Sequence, residues 1–205
     1  MNDMFRMGSF LFIVAAIAGA LLAVTESQTA PKILENKLKQ LEHARAEVLP
    51  LATKFQEIKP ANPAEGLEYA AGFAENGDLA GIVVNVAPKG YAGPIEMVMG
   101  LKADGSISGV KILSQKETPG LGTKLADDVF MAPFKKLLQE KPKPVFLVKQ
   151  DGGDVDGITA ATISSRAFCA GVRDALSTYE KIKQHLPTLK APAVTPALPQ
   201  SGEIK

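Results

Sequence analysis

The stretch MGSFLFIVAAIAGALLAV, Met7 to Val24, runs for eighteen residues without a charge, just long enough for an α-helix to cross the hydrocarbon core of a bilayer. Whatever else the chain forms must be kept apart from this segment. Two readings are open. A cleaved signal peptide has a shorter apolar region closed by a small-residue site, and Ala18-Gly19-Ala20 imitates one. Leu21, Leu22, Ala23 and Val24 prolong the apolar run past that point, and no cysteine follows to carry a lipid. Length therefore favours a retained anchor. Charge does not orient it, because Arg6 precedes the segment while Lys32, Lys37 and Lys39 follow it, and the positive-inside bias weakens when a whole domain must cross.

Beyond the anchor, Pro31 suits the first turn of a helix that carries Leu34, Leu38, Leu41 and Val48 on one stripe and stops at Pro50. This reads as a stalk, followed by turn material from Pro60 to Gly66. LEYAAGFA, LAGIVVNVA, IEMVMGLK and SISGVKILS are short β-type runs, with NGD and ADG as hairpin turns. Their spacing describes an antiparallel sheet. KLADDVFMAPFKKLLQ has helical period with Pro133 splitting it, PVFLVKQ reads as a further strand, and a helix from about Ser164 to His185 presents Phe168, Val172, Leu176 and Tyr179 inward. The expected class is α+β: a transmembrane helix and a stalk helix, then one domain with an antiparallel sheet flanked by helices. Residues 1–25 are assigned to the anchor, 26–65 to stalk and linker, 66–186 to the domain and 187–205 to a Pro-rich, disordered tail.

Several function classes are excluded by composition. A net charge of +1, 6% aromatic residues and no tryptophan leave no basic or stacking platform for nucleic acid. Cys169 is the only cysteine, so the chain has no intrachain disulfide, Cys-based zinc site, iron-sulfur cluster or haem attachment pair of its own. His43 and His185 are the only histidines, and neither is near a candidate nucleophile in sequence, which argues against a Ser-His or Cys-His hydrolase. The chemistry then falls to a bound cofactor, and no metal site is expected.

Three stretches remain as candidates. ETPGLGTK, Glu117 to Lys124, lacks the spacing of either nucleotide-binding glycine motif. It offers a rigid turn in which Gly120 and Gly122 allow close backbone approach and Thr118 and Leu121 can face a flat object; an ordinary strand-to-helix connection is the alternative. DGGDVDG, Asp151 to Gly157, fails the EF-hand alternation and reads as a solvated turn. In DGITAATISS, Thr162, Ser164 and Ser165 stand where the last helix starts. One hydroxyl suffices for an N-cap, and a run of hydroxyls with free amides at a helix N-terminus also makes a phosphate site. No base stands nearby in sequence to activate a threonine for turnover.

DGITAAT closely resembles the flavinylation motif D-x-x-[S/T]-G-A-T, whose last threonine carries FMN through a phosphoester. KGYAGPIEMVMGLKADGSISGVKILSQKETPGLGTKL resembles the FMN-binding domain of the G subunit of Rnf electron-transport complexes and of its relative, the C subunit of the sodium-translocating NADH:quinone reductase. The similarity runs from anchor through final helix and leaves out only the tail. It implies that Thr162 holds FMN covalently, that Asp156 helps a flavin transferase recognise the motif, and that Thr159 fills the [S/T] position. Ala161 and Ser164 would also belong to the cofactor site. Glu117, Thr118, Leu121 and Gly122 would lie against the isoalloxazine ring, with Gly90 to Pro94 in a nearby turn. Ala160 replaces the motif's glycine, and its methyl penalises positive φ.

The resemblance also implies a role: an electron carrier, not a catalyst alone, relaying electrons between ferredoxin and NAD within an ion-translocating membrane complex. Its partners would be the other complex subunits, the flavin transferase and membrane lipid. The chain would cross the inner (plasma) membrane once, with the flavin domain on the periplasmic or outer face. Two other classes compete with this reading: a membrane-anchored binding or assembly module without covalent flavin, and a flavin-sensing regulatory domain, for which no second signalling domain is present.

Overall fold

The computed structural model describes residues 2–60, 67–141, 143–186 and 189. Most of the expected 60–66 turn and, apart from Leu189, the expected tail lie outside them. The chain divides into two compact units, residues 1–42 and 43–205. Helix α1 (Asn2–Val48) supplies the first unit and enters the second with its last turn. Every side chain from Phe5 to Gln40 is exposed, and the helix is long and apolar enough to cross a membrane.

The expected break at Pro31 is absent, because Pro31 lies inside α1. Proline removes one backbone donor, and here that leaves the Ser27 carbonyl on a wholly exposed helix surface, free to find partners outside the chain.

In the second unit five strands, β1 (Lys54–Ile58), β2 (Tyr69–Phe73), β3 (Leu79–Val86), β4 (Glu96–Lys102) and β5 (Ile107–Ser114), form an antiparallel sheet in the order β1-β2-β3-β4-β5. The hairpin signals are fulfilled: Gly77 and Gly105 both take φ of 85°, and the Asn76 and Asp104 side chains accept from the Asp78 and Ser106 amides at 3.1 and 2.8 Å. The sheet starts at Lys54, inside the stretch assigned to stalk and linker. β1 is a short, charged edge strand, and its identity comes from pairing with β2.

Both faces of the sheet are covered. Ile82, Val84, Val86, Met97, Met99 and Leu101 join α2 (Asp128–Glu140) and α3 (Thr162–Ile182) in the main core. There Phe130, Phe134, Phe146 and Phe168 meet in edge and stacked contacts with centroids 5.0–6.0 Å apart. On the opposite face, Gly72, Gly100 and Gly109 form a trough for the chain that leaves α1. A Cβ on Gly100 would stand 2.3 Å from the Val48 carbonyl oxygen, and one on Gly72 would stand 2.7 Å from Leu49 and Ala52. Arg45 is buried beside this seat and donates from Nη2 to Glu57 Oε1 at 2.9 Å.

Two further expectations are corrected. Pro133 does not split α2, since it is exposed in mid-helix and its lost bond faces water. PVFLVKQ is not a strand: Val148 makes a single parallel bridge to Val155, and Lys149–Asp151 turns as a 3₁₀ helix. Phe146 and Val148 are apolar because they plug the core. Backbone groups here find partners outside any sheet, Leu147 N donating to Val145 O at 2.8 Å and Arg173 Nη1 donating to the Phe146 carbonyl at 2.6 Å.

Candidate functional site

Three connecting segments converge where α3 begins. The first, residues 90–94, is a tight turn closed by Gly90 N donating to Gly93 O at 2.8 Å. Gly90 is buried with no room for a side chain, as a Cβ would meet Glu117 Oε1 at 2.5 Å. Held on this turn, Tyr91 is 70% exposed.

The second segment, residues 117–122, carries Gly120 at φ 75° and leads into a 3₁₀ turn, Gly122–Ala126. Gly120 N donates to Thr123 Oγ1 at 2.9 Å. Glu117 is buried beneath the segment. Its Oε1 accepts from the Ala92 amide at 3.0 Å and its Oε2 from the Ser164 hydroxyl at 2.5 Å. One carboxylate thus joins all three segments. Gly122 must be glycine here: a Cβ would lie 2.6 Å from Glu117 Cβ and 3.0 Å from Ser164 Oγ.

The third segment leads into α3. The DGGDVDG stretch is largely exposed, as expected for a solvated turn, and Asp151, Asp154 and Asp156 are each paired with a cation, Arg166, Lys141 and Lys149 respectively. Hydrogen bonding from Arg166 holds the Asp151 carboxyl below its ordinary range, and Lys141 together with the Val145 amide does the same for Asp154. The chain then turns at Ala160 with φ 63°, the only non-glycine residue at positive φ among the described residues.

The N-cap of α3 is Ala161, and no side chain caps the helix. Ser165 Oγ instead accepts from the Ile158 amide at 2.9 Å and donates to the Ala161 carbonyl at 3.0 Å, while Ser164 is spent on Glu117. The capping role expected for these hydroxyls is therefore unfilled. The amides of Thr162, Ile163 and Ser164 precede the first intrahelical bonds, and they leave a positive helix end open toward the cleft. Among the described residues the Thr162 hydroxyl makes no hydrogen bond.

Between these segments lies a cleft of about 480 Å³, lined by Tyr91, Glu117, Thr118, Leu121, Gly122 and residues 160–164, a size suited to a small organic cofactor. Of the residues singled out from sequence, Glu117, Thr118, Leu121, Gly122, Ala161, Thr162 and Ser164 come together there. Asp156 and Thr159 are exposed and outside the lining, with Asp156 held by Lys149 at 2.7 Å. Tyr91 comes from the Gly90 to Pro94 turn expected beside the ring. Ile163, in the first turn of α3, was not foreseen as a lining residue. With Leu121 they form an apolar rim at the mouth.

Residues 90–177 match the family profile of the FMN-binding domain, and residues 1–48 that of the RnfG N-terminal region. The chain is 34% identical over 195 residues to the G subunit of the Na(+)-translocating ferredoxin:NAD(+) oxidoreductase complex of Acetobacterium woodii, an alignment covering 88% of this chain and 93% of that one. It is 33% identical over 198 residues to the G subunit of the ion-translocating oxidoreductase complex of Vibrio atlanticus, covering 91% and 95%. Among solved structures, the C subunit of the Na(+)-translocating NADH-quinone reductase from Parabacteroides distasonis aligns at 28% identity over 57% of this chain and 63% of that one, with a TM-score of 0.45.

Proposed function

The chain belongs to the G-subunit family of ion-translocating oxidoreductase complexes, and from that premise we propose that it is the electron-carrying flavoprotein subunit of an Rnf-type membrane complex, with FMN held on Thr162 through a phosphoester. The observation that carries the covalent assignment is the state of the first turn of α3. Ser164 and Ser165 are committed to Glu117 and to the backbone, whereas Thr162 faces the cleft with its hydroxyl unbonded at an uncapped helix end.

The lining fits the cofactor. Open amides at the start of α3 suit a phosphate, and the Tyr91, Leu121 and Ile163 rim suits an aromatic ring system. When bound, FMN supplies reversible electron uptake and release. The chain's own part is to fix the phosphate end at Thr162, to wall the cleft with apolar side chains and to hold its three segments together through Glu117.

Electron relay between ferredoxin and NAD, coupled to ion movement, follows from membership in such a complex. In this reading α1 is a single membrane span in contact with lipid, placed in the inner (plasma) membrane. The sheet-bearing unit, which begins at the end of α1 and includes β1 (Lys54–Ile58), forms the flavin domain on its periplasmic or outer side through residue 186, with residues 1–25 as the anchor and 187–205 as a tail. The partners are the remaining proteins of the complex and a flavin transferase that meets the exposed Asp156 and Thr159. A permanent tether suits a domain outside the cytoplasm, where lost FMN is not easily replaced.

The test is co-expression with a flavin transferase, followed by denaturing electrophoresis under ultraviolet light and intact-mass measurement of wild type and Thr162→Ala. A fluorescent band with the mass of added FMN, absent from the variant, is the expected result. A dark wild-type band beside an active transferase control would remove the covalent assignment.

A further inference from the structure

We propose that the Glu117 carboxylate holds down the electron affinity of the cleft, as a fixed negative charge built into its floor. This rests on the flavin reading given above. Glu117 is 5% exposed. Both of its oxygens lie at hydrogen-bond distance from donors, the Ala92 amide at 3.0 Å and the Ser164 hydroxyl at 2.5 Å, contacts that an acceptor-only carboxylate can fill. Among the described residues no cation pairs with it, every ion pair lying elsewhere. Gly90 and Gly122 pack against the two oxygens so closely that a Cβ on either would fall within 2.8 Å of one of them. What offsets the charge is two hydrogen bonds and the positive end of α3.

Burying a carboxylate without a cation is expensive, and the latch itself does not require one. A glutamine amide of the same shape could accept from Ala92 through its oxygen and donate to Ser164 Oγ through its nitrogen. The architecture is therefore available to a neutral side chain, and what the acid adds is its field. Because the Glu117 side chain is itself buried at the floor of the cleft, its field is stronger than that of a surface carboxylate. Each electron arriving in the cleft adds negative charge there, and a fixed negative neighbour opposes it. Glu117 accordingly favours the oxidised cofactor and makes the reduced one a better donor.

The test compares wild type, Glu117→Gln and Glu117→Asp as full-length, transferase-loaded proteins in detergent. Flavin attachment is read by gel fluorescence and midpoint potential by spectroelectrochemical titration. The amide variant should load flavin and shift the reduced-to-oxidised ratio at least tenfold toward reduced, which is 59 mV for a one-electron couple. The aspartate variant, which keeps the charge, should stay within twofold of wild type. An unshifted amide variant overturns the proposal, as does an aspartate variant that shifts equally. Loss of flavin from the amide variant beside a loaded wild type overturns it in favour of a purely architectural latch. A dark wild-type band instead sinks the flavin reading and the charge argument with it.

Discussion

Arg166, one turn into α3, grips both oxygens of Asp151, Nε to Oδ2 at 2.7 Å and Nη2 to Oδ1 at 2.6 Å. The fork ties the DGGDVDG turn to the helix whose first residue is Thr162. Because this bonding depresses the folded-state pKa of Asp151, its contribution to stability is present above the unfolded value of about 3.9 and is lost as pH falls through the lower folded value. Arg166→Gln should therefore lower the melting temperature at neutral pH, with the gap to wild type closing as pH drops below about 4. Thermal melts followed by circular dichroism from pH 7 to 2.5 would check this, and a gap independent of pH would contradict it.

Ala160 sits at φ 63°, where an L-residue with a Cβ is strained by roughly 1–2 kcal/mol. Glycine relieves that strain and loses roughly 0.5–1 kcal/mol through its freer unfolded chain. Ala160→Gly should thus change stability by a net gain of ~0–1.5 kcal/mol in urea unfolding and load flavin no more slowly than wild type. Destabilisation would mean that the methyl contributes packing in the cleft that outweighs the strain.

The trough that receives the end of α1 is built from absent side chains. Gly100→Ala places a methyl 2.3 Å from the Val48 carbonyl oxygen, and Gly109→Ala places one 2.9 Å from Val48 Cα. Each should cost roughly 1–3 kcal/mol by overpacking. Gly157→Ala meets nothing closer than 3.6 Å and serves as the control, expected within about 0.5 kcal/mol of wild type.

Cys169 is buried in α3, and burial pushes its thiol up to about 11. A group whose folded pKa is raised contributes stability below its unfolded value, about 8.5, and that contribution is lost as pH rises toward 11. Native protein should resist alkylation by iodoacetamide at pH 8 and react at once in denaturant. Cys169→Ser should show a flatter loss of stability between pH 8 and 11 than wild type, read by thermal melts.

Much of this organisation was legible in the sequence, and the exceptions share a cause. Four strands announce themselves because both faces of the sheet are covered, giving nearly continuous apolar runs bounded by Asn-Gly-Asp and Ala-Asp-Gly turns. β1 has no such signature: KFQEI lies at the edge and is held by pairing with β2. PVFLVKQ misleads in the opposite sense, since Phe146 and Val148 are buried without belonging to the sheet. At the site, residue types suggested the helix start and the ETPGLG turn. The commitment of Ser164 to Glu117 across 47 positions, which leaves Thr162 as the uncommitted hydroxyl of the first turn of α3, depends on the folded chain and could not be read from local pattern.

Strand order in the sheet follows chain order throughout, so each pairing closes only a short stretch of chain and can form early. The cleft is different. It needs Gly90, Glu117 and Thr162 in one place, and the last of these arrives only when α3 docks, with Tyr179 donating to the Ala103 carbonyl at 2.7 Å and Thr178 accepting from the Leu67 amide at 3.2 Å. A chain cut off before residue 162 could complete its sheet and still have nothing to offer a modifying enzyme. Attachment at Thr162 would then mark a domain whose last helix has already docked on its sheet.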